Sequence, residues 1–237
     1  MSAHGIEAVV FDFAGVLFDW QPAALLSHVL PERAGTPESV AHWVGEIFQA
    51  YGGDWGDFDS GLVEVPALVA RISARTGLRP DEVRAVVDAV PPSLAPLQGT
   101  VELLRQVKAA GWPVHFLSNM PEPYAAYLER HHAFIGWFDS GVYSARAKAS
   151  KPDAAIYRQL EELSGRRPAA LLFIDDHRPN VEAALARGWQ AVHSTNPQAL
   201  AADLVGKTRV AAERLGDGSS AVLPLSLERL REQMGAA

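Results

Sequence analysis

The sequence predicts an α/β fold with a doubly wound parallel sheet, on three observations. Short apolar runs of strand length recur, at Ala8–Phe11 and at residues 114–117, 169–174 and 190–192. Stretches of helical period separate them, and strands alternating with helices build a parallel sheet covered on both faces. Three of the runs also end on polar groups: Asp12, Ser118-Asn119 and Asp175-Asp176. Parallel strands bring their carboxyl ends to one edge, where open α/β sheets hold their chemistry.

The first run, Ala-Val-Val-Phe, reads as a strand buried on both faces. Gly15 lets the chain turn just after Asp12. From about Phe18 to Pro96 the pattern is helical, without a convincing buried strand. Val40, Trp43, Val44, Ile47 and Phe48 share one helical face, and Leu62, Val65, Leu68, Val69 and Ile72 share another. A third helix is expected from Pro80-Asp81-Glu82, with acids in its first turn, carrying Val83, Val86 and Val87. Gly52-Gly53, Gly56 and the prolines 91, 92 and 96 are read as breaks.

After Leu97 helices are expected over residues 101–110, 123–131, 152–163 and 181–187, with a short strand at 141–143. The predicted organisation is a core of residues 1–17 and 97–205, a helical insert at 18–96, and an extension at 206–237. Gly216-Asp217-Gly218-Ser219-Ser220 reads as a link within that extension, and Leu227, Leu230 and Met234 as a short terminal helix.

Composition narrows the function. The 237 residues, 48% hydrophobic, suffice for a sizeable core plus a smaller module. The absence of cysteine excludes disulfides, thiolate metal sites and cysteine nucleophiles. A net charge of -7 argues against general nucleic-acid or anionic-membrane binding. No apolar run approaches the ~18 residues of a membrane span, and the start has no basic region before an apolar stretch. The expected setting is the cytoplasm, as a monomer or homodimer.

At the shared strand edge Asp12 would be joined by Ser118, Asn119, Asp175 and Asp176, with Lys151 arriving after the third strand. Singly, these residues have ordinary roles as helix caps or a solvated loop charge. Four such groups at four strand ends, in order, are harder to explain structurally. Clustered carboxylates repel one another and favour a hard divalent cation, and Mg2+ suits one or two carboxylates completed by water and substrate phosphate. Ser118, Asn119 and Lys151 would hold phosphate oxygens.

These residues resemble the haloacid dehalogenase superfamily of hydrolases, over about residues 7–205. The resemblance is carried by Phe11-Asp12-Phe13-Ala14-Gly15-Val16, Leu117-Ser118-Asn119, Lys151-Pro152-Asp153 with Ile156-Tyr157, and Phe173-Ile174-Asp175-Asp176 with Asn180. Within the superfamily the chain is most similar to phosphatases of small metabolites, sugar phosphates included. The helical insert resembles the family's cap. The resemblance implies that Asp12 attacks phosphorus to form an aspartyl-phosphate. It implies Mg2+ held by Asp12, the Ala14 carbonyl and Asp176, with Asp175 binding the metal or its water. Ser118 and Asn119 would hold phosphate or orient the nucleophile, Lys151 would neutralise developing charge, and Asn180 would support the metal loop. The implied partner is a small phosphorylated metabolite.

One position departs from the family. Its phosphatases usually carry a second Asp two residues after the nucleophile, as general acid and base, where this chain has Ala14. A positioned acid is worth about 10²–10⁴ in rate. Ala14 alone therefore predicts a preference for esters with good leaving groups, such as aryl and anomeric sugar phosphates.

A metal-free haloacid dehalogenase using the same Asp12 is one alternative, disfavoured because Asp175-Asp176 would repel a carboxylate substrate. A phosphonoacetaldehyde hydrolase needs a cap lysine, and residues 18–98 contain none. A catalytically silent phosphate-binding protein has only Ala14 in its favour. The aromatics of the insert are expected in its core, with Trp20 as the candidate substrate wall. Arg33 is either a contact for an anionic substrate or a solvated charge.

Overall fold

The structure, a computed structural model, describes residues 6–196. Five parallel strands form one sheet: β1 (Ala8–Phe11), β2 (Val114–Ser118), β3 (Ser140–Tyr143), β4 (Leu171–Asp175) and β5 (Gln190–His193), in the order β3-β2-β1-β4-β5. The chain winds outward from β1 through β2 to β3, then returns to lay β4 on the other side of β1. The order reverses between β1 and β4, and a crevice opens beyond their carboxyl ends. Phe11 lies opposite Phe116 of β2 and Ile174 of β4, so Asp12 emerges at the centre of that edge.

β1 serves both faces of the sheet by simple alternation. Val9 and Phe11 join an apolar core that continues into the helices after β1, while Ala8 and Val10 join a second core on the opposite face. All four are buried because both faces are covered.

Between β1 and α6 (Gln98–Ala109) lie α1 (Pro22–Val29), α2 (Pro37–Phe48), α3 (Gly53–Asp59), α4 (Val65–Thr76) and α5 (Pro80–Ser93). The chain leaves and rejoins the core through two paired segments. Asp19 N–H donates to Ala95 O and Leu97 N–H to Leu17 O, each at 2.8 Å. The core continues with α7 (Glu122–His131), α8 (Ser144–Ala147), α9 (Ala154–Ser164) and α10 (Arg178–Ala186).

Several expectations need correction. α1 and α3 are helices that no periodicity announced, and Gly56, read as a break, lies inside α3. Leu62 is not on the face of α4; it precedes the helix and is 65% exposed. α5 runs on through Pro91 and Pro92. Pro91 lacks the N–H that would bond the Val87 carbonyl, and the Tyr124 hydroxyl of α7 donates to that carbonyl instead at 2.8 Å. β4 starts two residues later than expected, because Pro168–Ala170 form a 3₁₀ turn. The expected extension, with its link and its terminal helix, lies outside the described residues.

Candidate active site

The loop after β1 is wound tightly around one carbonyl. Phe13 O accepts from the N–H groups of Val16, Leu17 and Phe18, and Gly15 N–H donates to Phe18 O at 2.8 Å. The Phe13 ring is fully buried among Phe18, Phe116, Phe138 and Tyr143. Packing of this one ring fixes the residues on either side of it, Asp12 and Ala14. Gly15 has φ +78° and lies under the Asp176 carboxylate: a Cβ there would overlap Asp176 Oδ2 and stand 2.8 Å from Oδ1. Two physical demands therefore select glycine, a left-handed backbone and the close approach of an acid.

Lys151 is the centre of the site. Its side chain is 1% exposed, and its ammonium lies 2.8 Å from Asp12 Oδ1 and 2.7 Å from Asp175 Oδ2. Asn119 holds the lysine backbone on both sides, accepting from Lys151 N–H at 2.8 Å and donating to Lys151 O at 3.0 Å. Its amide thus positions the lysine. Asp12 Oδ1 also accepts from Phe13 N–H at 2.7 Å.

The two acids at the end of β4 have different surroundings. Asp175 is fully buried and bonded on both oxygens: Oδ1 accepts from His177 N–H, Oδ2 from Lys151, and both from the Asn180 amide at 3.1 Å. Asp176 is exposed. The carboxylate oxygens of Asp12, Asp175 and Asp176 nonetheless lie within 4.8 Å of one another. Burial pushes the Asp12 carboxyl well above its ordinary pKa; Lys151 opposes the shift, and Asp175 and Asp176 add to it. Desolvation, then Asp175, raises Asp176 as well. Burial works against the Lys151 ammonium, but Asp12 and Asp175 outweigh it and hold its pKa above the ordinary value.

This donor set fits a hard divalent cation. Oxygen ligands converge, their mutual repulsion needs positive charge, and the backbone of Gly15 leaves the space that Asp176 fills. Asp175 already bonds the chain through both oxygens, so Asp12, Asp176 and the Ala14 carbonyl are the groups with oxygens left that could hold an ion, with Asp175 beside them. No backbone N–H bonds the Ala14 carbonyl among the described residues.

A cavity of ≈ 210 Å³ opens over these groups. Asp12, Ala14, Asn119, Lys151, Asp176 and Asn180 contribute to its lining. The insert supplies an aromatic wall of Trp20, Tyr51 and Trp55, with Tyr124 from α7. Trp20 Nε1 donates to the Tyr51 hydroxyl at 2.8 Å, and Tyr51 ends a run of three left-handed non-glycine residues, Gln49, Ala50 and Tyr51. Such strain, about 1–3 kcal/mol per residue, concentrates at binding sites. Ser118 is not part of the lining. It sits behind, 1% exposed, and its hydroxyl has no partner among the described residues. Arg33 is elsewhere, ion-paired with Glu82 at 3.0 Å within the insert.

Sequence reasoning missed Tyr51, Trp55, Asp59, Tyr124 and His177, all of which line the cavity. For Asp59 a signal existed. Trp55, Phe58 and Asp59 form the buried face of α3, so an acid stands where the spacing calls for an apolar residue.

The family model of haloacid dehalogenase-like hydrolases matches residues 6–188. A sesquiterpene phosphatase, astK, of Aspergillus oryzae is 28% identical over 198 residues, covering 84% of this chain and 94% of the relative. A phosphoglycolate phosphatase of Pseudomonas putida is 29% identical, covering 79% and 68%. Among solved structures, a haloacid dehalogenase family enzyme of Bacteroides thetaiotaomicron, in complex with magnesium and inorganic phosphate, superposes with a TM-score of 0.62 at 20% identity over 79% of this chain and 93% of that one. The L-2-haloacid dehalogenase of Xanthobacter autotrophicus superposes with a TM-score of 0.64 at 22% identity, over 98% and 100%. With its family model spanning most of its length and phosphatases among its relatives, the chain belongs to the haloacid dehalogenase-like hydrolases.

Proposed function

We propose that the protein is a Mg2+-dependent phosphatase of a small organic phosphate, acting through an aspartyl-phosphate on Asp12. The observation that carries this reading is the buried Lys151 ammonium between Asp12 and Asp175, at a cavity that Asp176 also lines. A fixed cation beside a carboxylate is what a nucleophile and a trianionic transition state both need. The phosphatases among its relatives support the same class of substrate.

In this reading Asp12 Oδ2 attacks phosphorus while Oδ1 is held by Lys151 and Phe13 N–H. Lys151 also faces the transferring group and neutralises part of its charge. Asn119 keeps Lys151 in place, and Asn180 keeps Asp175 in place. The orphan Ser118 hydroxyl is buried behind the cavity lining and takes no direct part in this reading. Asp12, Asp176 and the Ala14 carbonyl would hold Mg2+, which supplies charge neutralisation on the phosphoryl group. The helical insert acts as a cap whose aromatic wall encloses the organic part of the substrate.

The test is turnover of a panel of phosphorylated metabolites with and without Mg2+, by the wild type and by Asp12→Asn. The amide is nearly isosteric but is a poor nucleophile and a poor metal ligand. Near-wild-type turnover by folded Asp12→Asn would sink the aspartyl-phosphate route. Activity that persists in excess chelator would remove the metal.

A further inference from the structure

One carboxyl group in the cavity wall comes from the insert. Asp59, the last residue of α3, is 7% exposed and lines the cavity together with Asp12, Ala14 and Asp176. No side chain or backbone donor bonds its carboxyl group among the described residues, and no cation pairs with it. Trp55, Met120 and Tyr124 belong to the same cavity wall. A buried carboxylate without a partner is costly, so the group stays protonated instead. Burial alone holds the Asp59 carboxyl well above the ordinary carboxylate range. A carboxylic acid facing an active-site cavity with nothing to bond is a proton donor in waiting.

Its position is fixed from the core side. Ser144 Oγ donates to the Asp59 carbonyl and itself accepts from Met120 N–H at 2.8 Å. The Ser60 and Ser150 hydroxyls lie 2.7 Å apart, and Lys148 Nζ donates to Gly61 O at 2.6 Å. Three consecutive residues of the insert are thus fastened to residues 144–150. Met120 follows Asn119, and Ser150 precedes Lys151. Asp59 is therefore tied to the two loops that carry the phosphate-facing groups.

Other titratable groups in the lining are poorer candidates. The Tyr124 hydroxyl is committed to Val87 O, and burial pushes its pKa well up. Burial raises Tyr51 too. His177 and Asp176 are exposed and belong to the β4 end, beside the groups that would hold the metal.

We propose that Asp59 is the general acid and base of the reaction, supplied by the insert in place of the carboxyl group absent at Ala14. As Asp12 attacks, the bond from phosphorus to the ester oxygen breaks, and its electron pair stays on that oxygen. The oxygen takes the proton from Asp59, and a neutral alcohol leaves. The Asp59 carboxylate then accepts a proton from the water that attacks the aspartyl-phosphate. The P–O bond to Asp12 breaks, and inorganic phosphate and both carboxyl groups are restored. This rests on the phosphatase reading, and it replaces the preference for good leaving groups expected from Ala14 alone.

The experiment compares para-nitrophenyl phosphate with benzyl phosphate, similar in shape but unequal in leaving group, with Mg2+, for the wild type and Asp59→Asn. In kcat/KM, which reads only the steps up to the aspartyl-phosphate, Asp59→Asn should lose about 10²–10⁴-fold on benzyl phosphate and far less on para-nitrophenyl phosphate, whose leaving group needs no proton. Equal losses on both esters by a folded variant overturn the proposal. Should Asp59→Asn not fold, the wild type decides: kcat/KM across aryl phosphates of graded leaving-group acidity should vary little, and a steep dependence overturns it. Wild-type turnover of para-nitrophenyl phosphate keeps the two readings apart. With turnover and no differential loss, only the role of Asp59 falls; with no turnover of any ester, the phosphatase reading falls and takes this one with it.

Discussion

Gly15 and Asp176 share one space: a Cβ on Gly15 would overlap Asp176 Oδ2 and come within 2.8 Å of Oδ1. The turn after Asp12 and the acid after β4 are therefore one packing unit. Gly15→Ala should displace Asp176 as well as strain the backbone. Gly111 separates the two effects, because it has φ +86° with nothing within 4 Å of its would-be Cβ. Both alanine variants should lose about 1 kcal/mol or more from the left-handed backbone. Only Gly15→Ala should raise the Mg2+ concentration needed for half-maximal turnover. A metal titration beside thermal melts reads both, and identical metal requirements in the two variants would refute the link to Asp176.

The bond from Tyr124 to the Val87 carbonyl explains how α5 survives Pro91, and it makes a double-mutant prediction. Tyr124→Phe leaves a buried carbonyl unpaired, at a cost of about 1–3 kcal/mol. In a Pro91→Ala background the restored N–H bonds Val87 O within the helix, and the same Tyr124→Phe change should cost far less. Urea unfolding of the four proteins measures the coupling. Equal costs in both backgrounds would mean that Tyr124 stabilises α5 through its ring alone.

Legibility of the sequence follows from how many constraints a residue obeys. β1 was readable because all four of its residues are apolar and buried, and Asp12 because a charge at the end of such a run is unusual. α1 and α3 were not. α3 has two glycines and three acids in seven residues, and its helical state is imposed by Trp55 and Phe58 packing inward. Gly56 belongs there because the Tyr51 carbonyl would lie 2.8 Å from a Cβ at that position. The strand-end residues could be named from the sequence, but not their division of labour. That Asn119 grips the Lys151 backbone, and that Asp175 is spent on Lys151 and Asn180, depends on distances across the sheet. Asp59 was hidden for the same reason: the cavity wall it joins is assembled from helices far apart in the chain.

His115 carries a pH dependence of stability. It is buried in β2, with Nδ1 2.8 Å from Ser140 Oγ and no partner for Nε2 among the described residues. Burial lowers its pKa; Asp139 acts against that, while Arg166 and Lys108 add to it. Above about pH 6.5 the imidazole is neutral in both folded and unfolded chains and adds no slope. As pH falls below that value, the unfolded chain takes up a proton that the folded chain refuses, and stability drops until the folded pKa is passed. The melting temperature of the wild type should therefore decline through this window more steeply than that of His115→Phe. Parallel curves for the two proteins would remove His115 as the cause.

Lys151 between Asp12 and Asp175 is a buried charge cluster whose parts do not tolerate separate removal. Lys151→Met takes away the cation and leaves Asp175, fully buried, facing an apolar side chain. Breaking such a cluster costs about 3–5 kcal/mol, because the remaining charge stays desolvated. Asp175→Asn alone should also destabilise, since Lys151 loses one of its two carboxylates while Asp12 retains it. Combining them removes one charge of each sign, and the amide oxygen that takes the place of Asp175 Oδ1 can still accept from His177 N–H. Lys151→Met/Asp175→Asn should therefore be more stable than Lys151→Met, yet remain without turnover, because the proposed mechanism then lacks the cation that balances charge on the phosphoryl group. Chemical unfolding of the three variants, with turnover measured on each, tests both halves. A double variant no more stable than Lys151→Met would show that the lysine contributes by packing, and turnover in either lysine variant would remove Lys151 from the chemistry.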